Sequence, residues 1–375
     1  MKFKVQRSAL FNKLQALNRV LNSKNSLAIL DCYLFEIKNG VMNITASDSE
    51  SSLISSVELI ECESDARFCI KAKVIQDTLR EIADQPVQFD INLETMEIRG
   101  DYMNGYFQIV GEQADEYPAP PAMASDAYAF SIPQVTLLSG ISSSVFALAE
   151  DDVRPVMTGI YFDFQSDCLV FVGTDGRKLV RKKQFNVKSE EQVGFIMPKK
   201  PANILKGLLT KDEAPCELAF DQKLARVVTN DFTLTFRPIE GRYPNYNSVI
   251  PANNPYTATI DRQSFISALK RVMVQCDQAS ALVKLQLTQG QLTLSGQDIN
   301  YSKRGEETVL CQYADSDIRI GFKANLLLDI LNSLECTEVV LKLADPGRAG
   351  LIMPAEQKPE EEVLLLLMPM MLSDY

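Results

Sequence analysis

Gly159-Ile-Tyr-Phe-Asp-Phe-Gln-Ser-Asp-Cys-Leu-Val-Phe-Val-Gly-Thr-Asp-Gly-Arg-Lys178 decides the fold. Ile160, Phe162 and Phe164 alternate with Tyr161 and Asp163, then Gln165-Ser166-Asp167 breaks the run before Leu169 and Phe171. That pattern predicts two strands joined by a polar turn. The chain writes the same hairpin three times. A shift of 127 residues carries Phe35, Ile37, Ser47 and Asp48 onto Phe162, Phe164, Thr174 and Asp175. A shift of 250 from the first copy carries Ile37, Gly40 and Asp48 onto Leu287, Gly290 and Asp298.

Other landmarks keep nearly the same spacing. Each unit opens with a short strand and an amphipathic helix, at Val5 and Leu10, Ile132 and Leu137, Ile260 and Phe265. A second helix is predicted near 71–84, 198–211 and 323–335, and an X-Pro step closes each unit at Pro118, Pro244 and Pro369. Landmarks recurring in order mark an internal repeat. The proline-rich links Pro118–Asp126 and Pro251–Pro255 place boundaries that give domains 1–125, 126–254 and 255–375. Two helices against mostly antiparallel sheet make the class α+β.

Composition narrows the function. The 375 residues are 46% hydrophobic and 23% charged, the balance of a globular protein with ample core. Histidine is absent, which removes the commonest general base and metal ligand. No cofactor or metal is expected. Eight cysteines without a CxxC pair, and an opening Met1-Lys2-Phe3-Lys4-Val5 that alternates like a strand rather than a signal segment, suggest reduced thiols in a cytoplasmic protein. The longest apolar run, Val363 to Leu372, contains Pro369 and is too short to span a bilayer.

The net charge of −11 argues against nucleic acid until it is mapped. The six helix windows 7–24, 71–84, 133–149, 198–211, 261–279 and 323–335 hold 15 Lys/Arg and 7 Asp/Glu, so the rest of the chain carries the acid. Basic helix faces suit sequence-independent phosphate contact, from Arg19, Lys24, Lys73, Arg80, Lys199, Lys200, Lys206 and Arg271. In the helix near 71–84, Val74, Ile75, Thr78, Leu79 and Ile82 are expected to face inward.

Val153-Arg154, Thr174-Asp175-Gly176-Arg177-Lys178-Leu179, Tyr243-Pro244-Asn245-Tyr246 and Met368-Pro369-Met370, set in three repeats, resemble the bacterial DNA polymerase III beta subunits, the β sliding clamps. The resemblance covers the whole chain. It implies a head-to-tail homodimer of six clamp domains, each chain half of a pseudo-sixfold ring around duplex DNA, with no catalysis and no membrane. It implies a pocket for short peptides of the replicative polymerase, clamp loader and repair polymerases. The pocket residues carried over are Met157, Thr174, Gly176, Arg177, Lys178, Leu179, Pro244, Val249, Leu366, Met368, Pro369 and Met370. Arg177 stands where the family often has histidine, and Met371 where an arginine is usual. Phe107 and Ile109 match the family's facing position at the dimer interface, and Val274, apolar on a polar helix face, is their expected partner. Two other readings are an adaptor ring that does not encircle DNA, and a carboxylate enzyme using the recurring Asp48, Asp175 and Asp298.

Overall fold

The computed structural model describes residues 1–22, 25, 27–150 and 153–372. The first repeat runs β1 (Lys2–Gln6), α1 (Arg7–Leu17), β2 (Cys32–Lys38), β3 (Val41–Ser47) and β4 (Ser51–Glu58). It continues with β5 (Glu61–Cys62), β6 (Ala66–Lys71), α2 (Ala72–Glu81), β7 (Pro86–Ile91), β8 (Glu97–Tyr102) and β9 (Gly105–Val110). The second contains β10 (Tyr128–Pro133), α3 (Gln134–Ser144), β11 (Gly159–Phe164), β12 (Leu169–Thr174) and β13 (Lys178–Gln184). After them come β14 (Val193–Pro198), α4 (Lys199–Lys206), β15 (Pro215–Phe220), β16 (Ala225–Val228) and β17 (Thr233–Phe236). The third has β18 (Tyr256–Asp261), α5 (Arg262–Met273), β19 (Leu282–Thr288), β20 (Gln291–Asp298) and β21 (Lys303–Gln312). It ends with β22 (Ile318–Lys323), α6 (Ala324–Ser333), β23 (Glu338–Leu343), β24 (Gly350–Pro354) and β25 (Glu361–Leu367). Among the described residues, the order strand, helix, four-strand group, helix, three strands recurs each time, with the two-residue β5 added in the first repeat.

The alternation that marks the hairpins also sets their register. Phe162 pairs with Phe171, Phe35 with Ile44 and Leu287 with Leu292. The first hairpin turns on Asn39-Gly40, both at positive φ (51° and 77°), the two-residue turn that matches strand twist. Core side chains then stack: Phe3 on Phe89 at 4.8 Å, Phe35 on Phe68 at 5.2 Å, Phe162 on Phe195 at 4.7 Å. α3 comes close to its sheet because Gly140 leaves room for the Phe171 ring.

Two compact units result, residues 1–135 with 207–238 and residues 136–206 with 239–375. The second repeat is divided between them, because each of its half-sheets joins a neighbouring repeat. In the first unit, β17 pairs with β4 and places Thr235 opposite Ser52. In the second, β25 pairs with β13 and places Leu366 opposite Leu179. The two joins are equivalent in the repeat. Glu112, Ile239 and Met370 support the alignment, each meeting the strand before the second helix at Cys69, Ile196 and Gly321. Among the described residues, the third equivalents have no strand beside them: the outer edge of β9 and the Lys303–Leu310 edge of β21.

Several expectations shift. All six helices form but are shorter, and they carry 10 Lys/Arg and 3 Asp/Glu, so the charge contrast persists. α1 stops at Leu17, and Arg19 lies in the turn beyond it. Val74 points outward at 40% exposure and Gln76 is buried in its place, because α2 buries Ala72, Ile75, Gln76 and Leu79. Gln76 is satisfied there, donating to the Leu14 carbonyl at 3.0 Å and bonding the Tyr33 hydroxyl. The repeat counterpart of Met368-Pro369, two residues past β25, is Arg237-Pro238 two past β17, and not Tyr243-Pro244. Among the described residues, no helix is long and apolar enough to cross a membrane.

Candidate partner-binding site

Strand pairing in the second unit lays Thr174, Leu179, Leu366 and Leu351 side by side across β12, β13, β25 and β24. They lie on one face with Val170 and Val172, while Val180, Leu365 and Leu367 belong to the cluster under α5 and α6. The first face is covered by Ile239–Ile250, anchored by the Ile239 N–H on the Ile196 carbonyl at 3.0 Å. Tyr243 stacks on Tyr161 at 4.8 Å. The Tyr246 hydroxyl donates to buried Asp163 at 2.7 Å. This leaves Pro244 and Val249 exposed over an apolar floor.

The turn after β12 is built by Asp175. Its Oδ1 accepts the N–H groups of Arg177 (2.8 Å) and Lys178 (2.9 Å), and Oδ2 holds the buried Lys178 ammonium at 2.8 Å. Burial raises the Asp175 pKa, but the Lys178 ammonium and these N–H groups outweigh it and hold the carboxyl below its ordinary range. Gly176 takes φ +83°, and a Cβ there would come within 2.6 Å of the Arg154 guanidinium. A Gly176→Ala chain should therefore lose roughly 1–2 kcal/mol, read as a lower thermal midpoint. The Thr174 hydroxyl closes the turn by donating to the Lys178 carbonyl at 2.7 Å.

The tail reaches the same turn. The Met368 N–H donates to the Arg177 carbonyl at 2.8 Å, and the Met370 N–H to the Gly321 carbonyl at 2.8 Å. Met368 is 43% exposed, Pro369 and Met370 are half-buried, and Met157 is half-buried in the 3-10 turn Pro155–Thr158. The structure thus gathers all twelve residues carried over for a pocket into the second unit. Leu179 and Leu366 form floor; Arg177, Pro244, Val249 and Met368 are exposed.

The recurring aspartates do other work. Asp48 accepts the Glu50 and Ser51 N–H groups (3.0 and 2.6 Å), Asp175 those of Arg177 and Lys178, and Asp298 that of Tyr301 at 3.2 Å. Each caps a turn after a strand. Among the described residues, no group of three or more His, Cys, Asp or Glu could hold a metal ion.

Family models match the chain from end to end: DNA polymerase III beta subunit N-terminal domain over 1–121, central domain over 131–245 and C-terminal domain over 247–371. The chain belongs to the DNA polymerase III beta subunit family. The beta sliding clamp of Haemophilus influenzae is 27% identical over 97% of this chain and 99% of its own length. That of Escherichia coli K12 is 25% identical over 99% and 100%. A crystal structure of the Pseudomonas aeruginosa DNA polymerase sliding clamp superposes with a TM-score of 0.91 at 25% identity, over 99% of this chain and 100% of that one. The Bacillus subtilis clamp, at 20% identity with coverage of 100% for both chains, shares the fold with a TM-score of 0.92. Membership makes the chain a DNA sliding clamp, a processivity factor rather than an enzyme.

The residues expected to meet DNA or a second copy lie in both units. In the first unit Arg19 lies against Gly207, and Lys73 and Arg80 are exposed on α2. In the second, Lys199, Lys200 and Lys206 lie on α4 and Arg271 on α5. Lys24 lies outside the described residues. Among the described residues, Arg80 pairs with Asp77 (3.0 Å), Lys199 with Glu150 (3.3 Å) and Arg271 with Glu307 (2.7 Å). Such exposed pairs are worth about 0–1 kcal/mol. Phe107 and Ile109 are half-buried on β9, with the Phe107 ring over Gly100. Val274, the residue after α5, is 67% exposed.

Proposed function

We propose that this clamp works as a head-to-tail homodimer of six domains, three per chain at 1–125, 126–254 and 255–375, closed around duplex DNA in the cytoplasm. It tethers the replicative polymerase and, in turn, the clamp loader and repair polymerases through a short peptide held by Met157, Thr174, Gly176–Leu179, Pro244, Val249, Leu366 and Met368–Met370. The observation that carries the dimer is the repeat of joins. β4 takes β17, and β13 takes β25, while β21 and β9 keep open edges; a second copy supplies what each lacks, and closure removes the edges.

The repeat also supports a register. Gln108 is the counterpart of Thr235 and Leu366, and Arg304, opposite Gln297, is the counterpart of Ser52 and Leu179. Gln108 of one copy then faces Arg304 of another, and Phe107 faces Gly305, against which the Gln275 side chain packs, next to Val274. A chain with Gln108→Cys and Arg304→Cys should form a covalent dimer on oxidation, seen on a non-reducing gel, while the parent stays unlinked. Linkage no greater than in the parent would contradict the register.

DNA contact is supported by the cation-rich helices. Replacing Arg80, Lys199 and Lys200 with Ala should weaken duplex binding equally for unrelated sequences. It should also flatten the salt dependence by about one unit of slope for each phosphate no longer neutralised. An unchanged slope would remove these residues from the interface.

A further inference from the structure

The two joins carry opposite chemistry at one equivalent place. In the first unit the turn residue is Glu50 and the strand-end residue is Arg237. In the second they are Arg177 and Met368. The backbone hydrogen bond is the same in both: the Arg237 N–H donates to the Glu50 carbonyl at 3.1 Å, the Met368 N–H to the Arg177 carbonyl at 2.8 Å. The side chains differ. Glu50 is answered within the chain by Arg237 at 3.8 Å. Arg177 has a thioether in that position, and among the described residues no carboxylate lies within 4 Å of its guanidinium.

The nearest acid in sequence is already committed, since Asp175 holds Lys178 and caps the turn. A second guanidinium reinforces the charge. Arg154 lies over Gly176 and donates to the Asp175 carbonyl at 3.0 Å, with its side chain exposed. Two arginines therefore flank the turn beside the exposed Met368. The tail side is apolar, with Met371 83% exposed.

We propose that Arg177, assisted by Arg154, is a specificity-determining residue that takes an acidic side chain of the partner peptide next to its apolar anchors. A carboxylate there would receive two-pronged hydrogen bonds from a guanidinium, the geometry in which arginine is most selective. This rests on the peptide-site reading above and says which peptides the site prefers.

The test uses the full chain and two labelled peptides with the same leucine anchors, one with glutamate and one with glutamine at every other position. The glutamate peptide should bind about tenfold tighter, with the difference shrinking at high salt. Arg177→Gln should erase most of that preference, and Arg177→Glu should reverse it toward a lysine-bearing peptide. Equal affinity of the parent chain for both peptides, or a preference that survives Arg177→Gln together with Arg154→Gln, would overturn the proposal. If both peptides bind alike and need the Met368–Tyr375 tail, only the charge preference fails. If neither binds, the peptide-site reading fails with it.

Discussion

Removal of Met368–Tyr375 should abolish binding of polymerase-derived peptides while leaving self-association intact. The cut falls just after β25, so every β13–β25 and β25–β24 pair through Leu367 survives and the sheet stays continuous. What goes is the Met368 N–H on the Arg177 carbonyl, the Met370 N–H on the Gly321 carbonyl, and the exposed methionine surface beside the turn. Methionine is a pliable wall for differing partner side chains. Each Leu-sized anchor that loses its burial forfeits roughly 1.5–3 kcal/mol. An affinity near micromolar, about −8 kcal/mol, cannot absorb the loss of two such anchors. β9 and β21 lie elsewhere in the sequence, so sedimentation should report an unchanged dimer. Unchanged peptide anisotropy in the shortened chain would place the site elsewhere.

Glu361→Ala should cost roughly 3–5 kcal/mol of stability, because it leaves a buried ammonium without its carboxylate. Lys182 on β13 meets Glu361 on β25 at 2.8 Å, with the two side chains only 6% and 14% exposed. The Ser139 hydroxyl on α3 (2.6 Å) and Gln184 (3.2 Å to Glu361) complete the cluster. Replacing both partners together, Lys182→Met with Glu361→Leu, should restore most of the loss, since a packed apolar pair needs no desolvation of charge. The pH dependence has a definite sign. Burial raises the Glu361 pKa, but Lys182, Lys358 and Gln184 outweigh it and leave the carboxyl below its ordinary 4.5. Its stabilisation is full above 4.5 and is lost as pH falls through the depressed folded value. The deficit of Glu361→Ala should therefore shrink in acid. A deficit that stays constant down to strongly acid pH would rule the pair out as its source.

The repeat was legible because strand alternation and turn aspartates are local. Phe162 faces Phe171 for the same reason Phe35 faces Ile44, and Asp48, Asp175 and Asp298 each cap the turn their position predicts. The candidate partner site rests on the family's motifs, since Val363–Leu372 alone reads equally well as a core strand. Other features depend on residues far apart in sequence. Gln76 is buried because the Leu14 carbonyl and Tyr33 hydroxyl receive it, while Val74, the more apolar residue, faces out. Lys182 and Glu361 look like surface residues until β13 and β25 pair across most of the third repeat. The equal spacing of Pro244 and Pro369 from their neighbours misleads, because the third repeat ends its last strand much nearer the proline.

Encirclement is tested most directly by loading the clamp on closed circular DNA, removing the loader, and following retention after the circle is cut. Clamps should persist on intact circles through high-salt washing and leave once linear ends appear. Equal loss from circular and linearised DNA would contradict encirclement.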